Sequence, residues 1–245
     1  MIPQAFGFVS CKAPHSDEYF TRRTRVNADT LPHRIEARLQ VGEELRGLLA
    51  ELAESEEQTT SEALFLSLMR DARLSETEAS YVVYLAHHCA TPAVIEAARR
   101  ILHDPSEPKL RRISALDAIA IADIELLHVD LVALLGNPGE PAWIRAEVAE
   151  KIGAQGLSDD FSPLLNHVMT TSDTEPEVLF WCLYACSVLT PNEDAIALVS
   201  SFLEDQRVVT ILFGTEKTTS LAEEATWALA RLRGDMDVEP TWVLA

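Results

Sequence analysis

Three groups of residues have the side-chain types that chemistry needs. His87, His88 and Cys89 stand in a row, and imidazole and thiolate are the usual zinc ligands. Successive residues on a regular helix point about 100° apart, so the three cannot close on one ion. They read as structural. Cys182 and Cys186 do share a helix face, and could fill two positions of a site. Leu179, Leu183 and Leu189 surround them with no His or Cys partner nearby, so they read as thiols of a helix core. The third group is acidic. Asp159-Asp160 and Glu193-Asp194 fall near predicted helix starts, where carboxylates complement the helix dipole as caps or form an acidic binding rim.

His128 and His167 lie off the apolar stripes Leu127/Leu131/Leu134 and Phe161/Leu164/Leu165/Val168, so both are expected at the surface. Neither has a nucleophile or carboxylate specified beside it, as general acid–base work requires. There is no Walker loop and no dinucleotide-binding glycine pattern. No catalytic residue, metal or cofactor is expected. Trp143, Trp181 and Trp227 read as packing residues, although tryptophan also favours binding hot spots.

The pattern of the chain is helical from Leu31 onward. A long helix is predicted to about Glu54, with Gly42 and Gly47 weakening it. Further helices are predicted over Ser61–Arg73, Ser75–Ala90, Pro92 to His103, Pro108–Ala122, Ile124–Leu135, Pro141–Gln155, Asp160–Thr171 and Pro176–Leu189. One more follows Thr190-Pro191 to about Glu204, and the last is Ser220–Arg233. Prolines sit at first turns and glycines at ends. Ser75-Glu76-Thr77-Glu78 is a capping box. Arg207–Gly214, RVVTILFG, is β-branched and lacks helical spacing, so a strand or extended loop interrupts the pattern. Residues 1–30 are set apart as an N-terminal extension, with AFGFVSC as a short strand. The domain reading is 1–30, then a helical body over 31–245 with an insertion at 205–219.

The body repeats. Pro108 against Pro141 aligns Arg112 with Arg145, Leu116 with Ala149 and Ile119 with Ile152. A slightly longer offset aligns Ala185 with Ala149 and Val188 with Ile152, and about two periods align Leu221 with Ile144 and Leu229 with Ile152. The unit Ile144-Arg145-x-x-Val148-Ala149-x-x-Ile152-Gly153 resembles the first helix of HEAT repeats, particularly the short bacterial HEAT-like type. LAEEATWALARLRGD, near the C-terminus, resembles it too. The resemblance implies an all-α fold, an α-α superhelix (HEAT-like solenoid) with first helices convex and second helices concave. Small residues such as Ala149 and Gly153 would let neighbouring helices approach closely. Phe180 and Trp181 depart from the pattern where its arginine region falls.

Charge narrows the function. Net charge is −19. Residues 1–40 hold six basic and four acidic residues, so the rest carries −21. Such a field repels nucleic acid and anionic membranes and attracts a basic protein. HEAT-like deoxyhypusine hydroxylases use His-Glu pairs, and no His-Glu dipeptide occurs here. HEAT-like DNA glycosylases present a basic groove, against the charge of this body. HEAT-like bilin lyases have motifs too loose to test. No apolar run is long enough to span a bilayer, the N-terminus is a poor signal peptide, and four cysteines make no disulfide framework, so a cytoplasmic protein is expected.

The expectation is a non-enzymatic interaction module binding a basic protein, one form being an inhibitor or bacterial immunity-type protein. The alternatives are a small-ligand-binding protein or lyase, and a homo-oligomer using the 205–219 insertion or the N-terminal strand. The candidate partner-binding residues are Glu125, His128, Asp159, Asp160, Asn166, His167, Glu193 and Asp194.

Overall fold

The structure is a computed structural model and describes residues 30–41, 45–54, 58–122, 124–213 and 215–239. At residues 30, 41, 58–61, 124–126, 212, 213 and 215 only the backbone is described. The expected strand in AFGFVSC lies outside the described residues.

The described residues are mostly helical and fall into two compact units, which divide between residues 122 and 123. The first unit holds α1 (Thr30–Val41), α2 (Arg46–Ala53), α3 (Gln58–Leu68), α4 (Glu76–Leu85), α5 (Pro92–His103) and α6 (Lys109–Ala122). A 3-10 turn, Ala86–His88, follows α4. Helices α2, α4 and α6 pack in that order, and α3 and α5 lie against α4 and α6. The predicted long helix over 31–54 is two helices, since the described helix ends at Val41 and the next begins at Arg46.

The second unit holds α7 (Ile124–Leu135), α8 (Ala142–Ala154), α9 (Ser158–Thr170), α10 (Pro176–Cys186), α11 (Glu193–Ser200), β1 (Val208–Phe213), β2 (Thr215–Ser220) and α12 (Leu221–Leu232). Helices α8, α10 and α12 pack side by side, with α7, α9 and α11 against them. The β-branched run before the last helix is one strand of an antiparallel hairpin. Its partner, TEKTTS, is polar and shows no strand pattern of its own.

Buried side chains explain the repeat. Ile144, Val148, Ala149 and Ile152 of α8 are all fully buried. Gly153 lies where α10 crosses: a Cβ there would stand 2.8 Å from the Tyr184 ring and 3.0 Å from the Ala185 Cα. The arginines have matching roles. Arg112 donates from Nε to the Leu102 carbonyl at 2.7 Å, and Arg145 donates from Nε to the Leu135 carbonyl at 3.2 Å. Each arginine thereby holds the end of the helix ten residues upstream, where carbonyls lack helical donors. Arg145 also reaches Glu175, at the start of α10, at 2.9 Å. Glu-Pro recurs at Glu107-Pro108, Glu140-Pro141 and Glu175-Pro176. One alignment fails: α10 stops at Cys186, so Val188 lies past the helix and is exposed, unlike buried Ile152.

Candidate functional site

The acidic residues sit where the second unit brings helix starts together. Helix α9 begins after Gly156, whose φ of +69° closes the preceding turn. Its N-cap residue, Leu157, offers no side-chain acceptor, and Asp159 and Asp160 occupy its first turn. Pro163, inside the helix, has no N–H to give the Asp159 carbonyl. Helix α11 is capped by Asn192, whose Oδ1 accepts from the Ala195 N–H at 2.8 Å. Glu193 and Asp194 fill its first turn.

Asp159 joins the two starts. Its carboxylate accepts the Thr190 N–H at 2.7 Å and the Thr190 hydroxyl at 2.6 Å. Asn192 Nδ2 donates to the Thr190 carbonyl at 3.1 Å. These hydrogen bonds, the hydroxyl first and the N–H second, hold the Asp159 carboxyl below its ordinary range. Asp159 lies in the first turn of α9, as expected of a carboxylate that complements the helix dipole, and its oxygens also staple that start to Thr190 ahead of the next helix. Asp160, Glu193 and Asp194 remain exposed.

His128 belongs to the same end. Its ring lies 4.4 Å from that of Phe161, the buried residue that follows Asp160. The structure thus groups His128, Asp159, Asp160, Glu193 and Asp194 near the starts of α7, α9 and α11. Asn166 and His167 are exposed but stand apart, since His167 lies seven positions along α9 from Asp160, a rise of about 10 Å. Glu125 lies in the first turn of α7, and its side chain is outside the described residues.

Two residues escape sequence inspection. Val129 and Val132 of α7 are 67% and 44% exposed. Spacings of three and four put His128, Val129 and Val132 on one helix face. The signal was present: Leu126, Leu127, Val129, Leu131, Val132, Leu134 and Leu135 exceed what one buried face can hold. An apolar strip with carboxylates beside it can dock an apolar side chain and accept hydrogen bonds from Lys or Arg.

Of the other candidates, Cys89, Cys182, Cys186 and Trp227 are buried, His87 is half-buried and His88 is exposed. His87 Nδ1 lies 2.6 Å from the Tyr84 carbonyl, and the His87 and His88 rings are 4.1 Å apart. Burial, then the neighbouring His87, pushes the His88 ring below its ordinary range. Burial raises the Cys89 thiol. Cys182 and Cys186 are buried in α10, Cys186 Sγ lies 3.6 Å from Met169 Sδ, and burial pushes the Cys186 thiol up to about 12. Trp227 is buried, stacks parallel to Tyr184 at 6.0 Å and donates from Nε1 to the Val238 carbonyl at 2.9 Å. Among the described residues, no three His, Cys, Asp or Glu side chains group as a metal site, and no helix is long and apolar enough to cross a membrane.

No protein-family model matches the chain, and no curated protein or solved structure is significantly similar to it.

Proposed function

We propose that the chain is a non-enzymatic interaction module, a HEAT-like α-α superhelix that binds a basic protein through the α7–α9–α11 end of its second unit. The observation that carries this reading is the exposed strip His128, Val129 and Val132, with exposed Asp160, Glu193 and Asp194 at the neighbouring helix starts. Non-obligate interfaces pair an apolar centre with a polar rim, and the net charge of −19 adds long-range attraction for a cationic surface. The matching roles of Arg112 and Arg145 support the repeat architecture. Inhibition of a basic toxin or nuclease, in the manner of an immunity protein, is one concrete form; an adaptor in a larger assembly is another.

The test is capture from source-cell lysate at low salt and at about 0.5 M salt, where the Debye length shrinks to a few ångströms. Wild type is compared with Asp160→Asn/Glu193→Gln/Asp194→Asn and with Val129→Ser/Val132→Ser. A basic protein retained by wild type, weakened by salt and lost from both variants is expected. Retention that ignores both salt and substitution sinks the proposal.

A further inference from the structure

The hairpin of the second unit has two edges that differ in their side chains: β1 is uncharged and β2 carries Glu216 and Lys217. Its strands pair in continuous register from Val208↔Ser220 to Phe213↔Thr215, without a bulge. The Leu221 N–H donates to the Arg207 carbonyl at 3.0 Å, which fixes the phase of the ladder. Val209–Thr219 and Ile211–Lys217 are then the hydrogen-bonded pairs, and the N–H and C=O of Val208 and Thr210 point away from β2. No described residue bonds those groups, and Val208 is 60% exposed. The side chains of Val209 and Ile211 are buried, so the strand itself is anchored. On β2 the Ser220 N–H is taken by the Glu223 carboxylate at 2.9 Å, and the rest of that strand carries the charges Glu216 and Lys217.

Exposed edges in soluble proteins are ordinarily blunted by a charge, a proline or a bulge. Val208–Phe213, VVTILF, has none of these, whereas β2 carries Glu216 and Lys217. We infer that β1 pairs antiparallel with β1 of a second copy, in a register centred on Thr210, to give a four-stranded sheet across a two-fold axis. A second copy is the occupant that an uncharged strand favours. It presents the same outward N–H and C=O pattern, and pairing brings β-branched residues together without opposing like charges. The nearest charges, Asp205 and Arg207, already neutralise each other at 2.6 Å. A strand pair alone buries less than the roughly 1,000 Å² of a stable interface, so the dimer depends on concentration.

This inference does not rest on the proposed basic partner, and salt separates the two. Two copies of net charge −19 repel, so screening strengthens β1 pairing while it weakens attraction to a cationic protein. Sedimentation velocity is run on wild type, Thr210→Pro and Val208→Lys across a concentration series at low and high salt. The proline removes an N–H that no described residue uses, and the lysine replaces an exposed side chain. Circular dichroism confirms that both variants keep their helix content. Wild type is expected to shift from monomer to dimer with rising concentration and salt, and Val208→Lys to stay monomeric, as does Thr210→Pro where it folds. A wild type that is monomeric throughout, or a folded Val208→Lys that dimerises as wild type does, overturns the inference.

Discussion

Two backbone positions make opposite demands on Cβ. At Gly153 there is no room, because the Ala185 Cα, a backbone atom, lies 3.0 Å from where a Cβ would stand. Gly153→Ala gains helix propensity but forces α8 from α10, and a net loss of about 1–3 kcal/mol is expected in urea unfolding. Ala90 has the reverse problem. Its φ of +43° lies in the left-handed region just after the 3-10 turn, where a side chain is strained. Ala90→Gly should raise stability by about 0.5–1 kcal/mol, and a loss would show that the Ala90 methyl packs usefully. Arg145 is only 5% exposed and holds both the Leu135 carbonyl and Glu175. Arg145→Met keeps much of the volume but abandons both bonds, so a loss of about 2–3 kcal/mol is expected. Arg145→Lys should recover only part, since an ammonium lacks the fork that reaches two acceptors.

Helix starts set the acid limb of stability. Ser220 and Glu223 form a reciprocal capping box at α12, and Ser75 and Glu78 form one at α4. Ser220→Ala should cost about 1 kcal/mol, the usual worth of such a cap. The Ser220 N–H first, then the Thr219 hydroxyl, hold the Glu223 carboxyl below its ordinary range. With the folded pKa depressed, the unfolded chain binds more protons, so this stabilisation is complete above the unfolded pKa and is lost as pH falls through the folded one. Asp159 behaves alike through Thr190. Glu223→Gln should therefore flatten the fall in urea midpoint on the acid side of the carboxylate range, and an unchanged slope would assign that fall to other carboxylates. Most such boundaries were legible beforehand. The prediction of Ile124–Leu135 agrees with α7, and that of Pro92 to His103 with α5, because Pro92 after Thr91 and Gly136 after Leu135 are local punctuation. What escaped was non-local. Nothing in TEKTTS announces a strand until VVTILF lies beside it, and Arg145 does not name Glu175, thirty residues away, as its acceptor. At the site, the acidic pairs were visible as helix starts. That Asp159 would be taken by Thr190, leaving Asp160 exposed, depends on how successive helix pairs meet.

At the scale of the whole chain, charge outweighs any single pair. Residues beyond 40 carry −21, so folding concentrates like charges that the unfolded chain keeps apart. Exposed ion pairs such as Arg34–Glu51 and Arg73–Glu36, each at 2.8 Å, work the other way, but exposed pairs contribute little individually. Sodium chloride discriminates between these terms, because between about 0.01 M and 0.15 M the Debye length falls from roughly 30 Å to 8 Å. Net repulsion acts over that whole range of distance, whereas contact pairs are shorter than either length. If screening relieves about 1 kcal/mol of repulsion, the thermal midpoint should rise by about 2–4 °C for a chain of this size. The measurement is differential scanning calorimetry at constant pH and at a concentration low enough to keep the chain monomeric, since β1 pairing would itself raise the midpoint with salt. A midpoint that falls with added salt would mean that the ion pairs carry more of the fold than their exposure suggests. Ion pairing would then also compete with a cationic partner for the acidic surface, and the weakening of capture by salt should be correspondingly shallow.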